Sequence, residues 1–297
     1  MAIRESFLGS AMRSALLCFL AFFALSAPAW AQSQIVVRAD PAPIVEAEIN
    51  GRPVRLEVDL RLPDVLVLNP SAAERLGVRR IPFVAARVLL DDASIRGRIA
   101  RPRIVFGQAG AARAITGVFN VPASERADGL IGPGVLPYDV IRVELRAPQA
   151  NEREIVLAIA DADVWDPRQQ IGGLEMSVWF DLANDASTFN RTASARLDES
   201  GLIVADGAHT ETAMLMGLRA QTQPIRTDIS VQGLGLSPVA ARTRAPLLGA
   251  LDEDTIVVEG DADAPRPSLW IGRRALADCS SITVDRRSRL LTLRCAS

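Results

Sequence analysis

The sequence contains one stretch twice, and nothing else in it limits the fold as strongly. Residues 54–77 read VRLEVDLRLPDVLVLNPSAAERLG, and residues 176–197 read MSVWFDLANDASTFNRTASARL. Each copy is an apolar run ending in one carboxylate, Asp59 or Asp181, followed by Leu. A short polar turn comes next, then a Val- or Ser/Thr-rich segment, an Asn, and small residues ending in Arg-Leu. A second matched pair follows: LIGPGVL at 130–136 and WIGRRAL at 270–276, both of the form apolar-Ile-Gly-x-x-x-Leu. Two motifs in the same order in both halves indicate internal duplication.

The segments around these motifs read as strands. Short apolar or alternating runs occupy 35–37, 44–49, 54–58, 65–68, 87–90, 95–99, 104–106, 114–119 and 140–145. Asn50-Gly51 between two of them is a strong hairpin signal. Residues 70–76 read as a short helix ended by Gly77. The second half repeats the plan, with strands expected at 176–180, 187–189, 202–204, 217–221, 225–231, 255–258 and 268–271 and a short helix through Leu197. This is an all-β count, spaced as in sandwiches or barrels rather than in βαβ units. The expected layout is a leader over 1–31, an N-terminal lobe over 32–147, a linker region over 148–173 with one strand at 155–159, and a C-terminal lobe over 174–297.

The leader reads as an address. Arg4 and Arg13 precede the apolar run 15–25, and Ala29-Trp30-Ala31 fits signal-peptidase cleavage before Gln32. That run is shorter than the roughly 20 residues a spanning helix needs. The expectation is a mature protein that is periplasmic or secreted from a bacterium, with no stable membrane span after cleavage. Export makes Cys279 and Cys295 readable. They flank a hairpin-like segment centred on Arg287, so a disulfide is expected and its register is left open.

Several chemistries are excluded by count. All 33 basic residues are Arg, which removes Lys nucleophiles and Schiff bases. The single His, His209, rules out a multi-His metal site, and it reads as a surface loop residue. No cofactor or metal is implied. A net charge of −2 argues against a nucleic-acid partner.

The stretch INGRPVRLEVD, a polar turn, then NPSAAERLG resembles the retropepsin-like and pepsin-like aspartic proteases. In that family a strand carries a catalytic Asp into an Asp-Thr/Ser-Gly turn, and a later apolar-apolar-Gly strand passes beneath it. The resemblance covers nearly the whole mature chain as two tandem lobes. It implies a bilobal fold, a catalytic dyad of Asp59 and Asp181, a peptide or protein as substrate or ligand, and binding positions at Arg61, Ala183, Ile131, Gly132, Ile271 and Gly272. The second copy keeps the family's spacing, whereas the first has one extra residue near Pro63.

The residues after each Asp depart from the family. Peptide hydrolysis there needs two carboxyls sharing one proton and activating a water. The family's hydroxyl and Gly are replaced by Leu60-Arg61 and by Leu182-Ala183. Arg61, pointing inward, would pair with a carboxylate and break the shared-proton arrangement. The family's flap Tyr is also missing from the hairpin expected near 87–99, since the one Tyr is Tyr138. Two readings follow: an exported aspartic endopeptidase, and a pseudo-peptidase that binds a peptide or envelope protein between its lobes. Asp64 and Asp185 read as turn residues, Ser187-Thr188 lack a base, and Trp179 and Trp270 read as core.

Overall fold

In a computed structural model, residues 33–62, 64–90, 93–159, 167–243, 256–258 and 266–296 are described. The leader, Asp91 and Asp92, and the acidic run at 161–166 lie outside them. Ser33–Ser297 forms one compact unit. Its secondary structure is mostly strand, in line with the all-β expectation.

The strands of the first half are β1 Gln34–Arg38, β2 Ile44–Ile49, β3 Arg52–Val58, β4 Val65–Leu68, β5 Arg80–Leu90, β6 Ala93–Ala100, β7 Arg103–Val105, β8 Ala111–Arg113, β9 Ile115–Phe119, β10 Gly129–Ile131 and β11 Val140–Glu144, with helix α1 at Pro70–Arg75. Then come β12 Glu152–Ala158, β13 Arg168–Ile171, β14 Leu174–Asp181, β15 Ser187–Phe189, helix α2 Arg191–Glu199, β16 Val204–Ala205, β17 Thr210–Ala213, β18 Arg219–Arg226, β19 Ser230–Val231, β20 Leu234–Gly235, β21 Val239–Arg242, β22 Ile256–Val258, β23 Ser268–Gly272, β24 Cys279–Asp285 and β25 Leu290–Ala296.

Two large sheets pair these strands in the same order and sense. In the first, the β2–β3 hairpin lies beside β10, parallel to β3, and β10 runs antiparallel to β4. β4 is parallel to β9, and β6 and β5 follow antiparallel. In the second, the β13–β14 hairpin lies beside β23, parallel to β14, and β23 is antiparallel to β15. β15 is parallel to β21, and β18 then β17 follow antiparallel. The first sheet extends through β7 and β8 at one end and β22 at the other. A third sheet, β1-β11-β24-β25-β12, mixes strands from both ends of the chain.

Local chemistry explains the boundaries. The β2–β3 turn places Asn50 and Gly51 at φ 54° and 70°, the left-handed pair that an Asn-Gly hairpin turn requires. α2 is capped by Asn190, whose side chain accepts the Ala193 N–H. Residues 217–231, expected as two strands, instead form β18, β19 and a connection. Pro224 lies within β18 because its carbonyl still accepts the Asp206 N–H at 2.8 Å, so the strand continues through it. The strand expected at 155–159 runs Glu152–Ala158 and is paired along its length with β25.

Two apolar clusters hold the unit together. The larger runs from β2, β3 and β4 through β11 and β12 to β14, β23, β24 and β25. The smaller joins hairpin residues Ala86, Val88 and Ile95 to Met214, Met216 and Leu218 and to Trp270. All seven of these side chains are buried.

Candidate functional site: an arginine between two aspartates

β3 delivers Asp59 and β14 delivers Asp181, each at the mouth of a turn. The Asp59 backbone N–H donates to the Ile131 carbonyl at 2.9 Å, just past the parallel pairing of Val58 with Ile131. Asp181 occupies the matching place, in register with Gly272. The Gly132 N–H donates to the Val65 carbonyl at 2.9 Å, and the Gly272 N–H donates to Ser187 Oγ at 3.1 Å. Ile131, Gly132, Ile271 and Gly272 are all buried under the two loops and act through backbone. A Cβ on Gly272 would stand 2.4 Å from the Ala186 carbonyl carbon, so this approach needs glycine.

Arg61 reaches both carboxylates. Its Nε donates to Asp59 Oδ1 at 2.9 Å and its NH2 donates to Asp59 Oδ2 at 2.7 Å, a two-pronged side-on grip. Its NH1 lies 3.2 Å from Asp181 Oδ1 as an ion pair whose angle falls short of a hydrogen bond. The Arg61, Asp59 and Asp181 side chains are only 10%, 7% and 3% exposed. Burial by itself would lower the guanidinium's pKa. Attraction to Asp59 and to Asp181, with the hydrogen bonds, outweighs burial and holds Arg61 above its ordinary value.

The backbone supplies further donors. Asp59 Oδ1 accepts the Arg61 N–H at 2.9 Å, and Asp181 Oδ1 accepts the Ala183 N–H at 2.9 Å. The N–H at the position of the family's Gly thus reaches the carboxylate in both turns without glycine. Neither Arg61 nor Ala183 has positive φ, so a Cβ is accommodated in both turns. Leu60 is buried in the larger cluster and Leu182 packs against it, so both positions where the family has a hydroxyl present apolar surface instead.

Sequence reasoning missed two partners. Asn184 donates from Nδ2 to Asp181 Oδ2 at 2.7 Å and to the Ala213 carbonyl at 3.0 Å, tying the second carboxylate to β17. Glu57, two residues before Asp59, accepts from Ser124 Oγ at 2.6 Å and pairs with Arg126. Asn184 stands three residues after Asp181, where a turn Asn was the available signal. Nothing local marks Glu57, because its partners lie more than sixty residues away.

A cavity of about 340 Å³ adjoins this cluster. It is lined by Asp59, Arg61 and Ala183 together with Glu57, Arg126 and Arg146, and by apolar residues of both halves. The four buried backbone-support residues named above do not line it. Asp185 pairs with exposed Arg273 at 2.7 Å, and His209 is an exposed residue near Thr243. Trp270 is buried, Trp179 packs partly buried beside both apolar clusters, and Tyr138 packs against the larger one, away from the β5–β6 hairpin. Cys279 and Cys295 stand opposite each other in β24 and β25 and form a disulfide. Among the described residues no helix is long and apolar enough to cross a membrane. The sequence matches no protein-family model and no curated protein.

Proposed function

We propose that this protein is an exported pseudo-peptidase: an aspartic-protease-like bilobal chain that has lost hydrolysis and binds a peptide segment between its halves. The observation that carries the reading is Arg61 in contact with both Asp59 and Asp181. Hydrolysis by a carboxyl pair needs a proton and a water held between the two acids. A guanidinium offers only donors and does not deprotonate in proteins, so it cannot accept a proton from water. With Arg61 there, neither carboxylate is left to act as the base opposite an acid.

Three further observations support the reading. The two sheets share one strand order, and the two aspartates stand at corresponding strand ends. The space between the β5–β6 hairpin and the 214–218 turn is filled by Met214, Met216, Leu218 and Val88, where a substrate-bearing cleft would need to be open. The cavity beside Arg61 remains, within the size range of small-ligand and short-peptide sites, and its mixed Arg and carboxylate lining suits a polar peptide segment.

The test is peptide cleavage measured from acid to neutral pH on wild type, Asp59→Asn and Asp181→Asn, with a statine-type inhibitor. The expected result is no cleavage by any of them, together with retention of envelope peptides by the wild type that Arg126→Ala weakens. Statine-sensitive cleavage abolished by both Asn substitutions would establish the endopeptidase instead.

A further inference from the structure

Away from that site, the segment 79–113 of the first half is rich in arginine. Between residues 79 and 113 the sequence has eight arginines against two acids, Asp91 and Asp92, in a chain of net charge −2. The eight are Arg79, Arg80, Arg87, Arg96, Arg98, Arg101, Arg103 and Arg113, and all but the half-buried Arg87 are exposed. Among the described residues none of them has an ion-pair or hydrogen-bond partner, whereas Arg38, Arg75, Arg126, Arg146 and Arg273 each hold a carboxylate.

Strand register sets four of them in facing pairs, one pair in the β5–β6 hairpin and one in β7–β8 at the other end of the sheet. Arg87 stands directly opposite Arg96, and Arg103 directly opposite Arg113. Like charges facing each other across a ladder cost stability, and an external anion relieves that cost. Arg80 pairs with Ala100, the neighbour of Arg101, and Ala100 pairs with Thr116, the neighbour of Ile115. Thus Arg79, Arg80, Arg101 and Ile115 converge at one end of the hairpin.

At that end the ladder breaks between Arg80 and Ala85. Within the break, Phe83 is 100% exposed at φ 63°. A bulky residue in the left-handed region is strained, and such strain tends to mark functional surface. Ile81, within the same break, and Ile115, at the same end of the sheet, are 39% and 41% exposed. Arginines alone would suit any polyanion. A fully exposed aromatic close in sequence to Arg79 and Arg80, at the hairpin end that also holds Arg101 and the exposed Ile115, suits the boundary between anionic headgroups and acyl chains.

We propose that this face docks on an anionic lipid bilayer, with Phe83 and Ile81 entering the headgroup layer and the surrounding arginines binding lipid phosphates. The proposal is independent of the pseudo-peptidase reading, since it involves neither Arg61 nor the cavity.

The experiment uses the Ser33–Ser297 unit, which packs as one body with its own core. Co-sedimentation is measured with vesicles of phosphatidylcholine, with and without phosphatidylglycerol, and in parallel with heparin. Binding is expected to the phosphatidylglycerol vesicles alone and to weaken as salt rises. Phe83→Asn, which suits positive φ, lowers vesicle partition about tenfold, and Arg80→Gln and Arg101→Gln lower it about fivefold each. Thermal melts confirm that these exposed variants fold. Absence of vesicle binding, or equal binding to neutral vesicles, overturns the proposal. Vesicle binding unchanged by Phe83→Asn and matched by heparin also overturns it, in favour of a soluble polyanion.

Discussion

Arg61 grips Asp59 through Nε and NH2 at 2.9 Å and 2.7 Å while its third nitrogen, NH1, stands 3.2 Å from Asp181. One side chain thus joins the two copies of the repeated motif. With one cation and two acids, the cluster keeps an excess negative charge, which the Ala183 N–H, the Asn184 N–H and the Asn184 side chain meet on the Asp181 side.

Removing the cation leaves two buried carboxylates facing each other. Arg61→Leu is expected to cost about 3–5 kcal/mol in urea unfolding at neutral pH. Asp59→Asn in the same chain should recover part of that loss, and the double-mutant cycle reads the coupling. A coupling energy near zero would show that Arg61 and Asp59 do not act as a pair.

Acid should loosen the start of the chain's first strand. The Ser33 N–H and then Arg287 hold the Asp139 carboxyl below its ordinary pKa. A depressed folded pKa gives stability that is present above the unfolded value, roughly pH 4, and lost as pH falls through the folded one. Protection factors of the β1 amides, corrected for intrinsic exchange, should therefore fall below that pH. In Asp139→Asn they should be low already at neutral pH, because the amide replaces only part of the acceptor set.

The disulfide closes a loop with a sequence separation of 16. Cross-linking a loop of that length stabilises by about 3 kcal/mol through the unfolded chain. Cys279→Ser with Cys295→Ser, or reduction, should lower urea-unfolding stability by that amount. The cost should not depend on the state of Arg61, which belongs to a separate set of contacts.

Gly272→Ala should destabilise by about 1–3 kcal/mol, the usual range for overpacking a filled site. Its Cβ would meet backbone atoms of Ala186 and Asp185, which cannot turn aside as a side chain can. Thermal unfolding measures the loss. Chemical shifts of Asn184 should move with it, since the displaced loop carries the second carboxylate's partner.

Much of the fold was legible in the chain, because alternation and turn chemistry are local. The period-two runs, the Asn50-Gly51 turn and the short helix through Leu197 each depend on neighbours a few residues away, so composition and spacing suffice to read them. The repeated motif likewise announced that Asp59 and Asp181 occupy equivalent strand ends, and it flagged Arg61 as the residue on which the chemistry turns. Only the tertiary structure decided where the Arg61 guanidinium points, that Asn184 and Glu57 join the site, and which register sets Cys279 opposite Cys295. It alone closed the space beside the hairpin with Met214 and Met216, and left Phe83 fully exposed in the break of the β5 ladder. Those outcomes depend on how sheets from distant parts of the chain meet, and a contact across 120 residues has no periodicity to betray it.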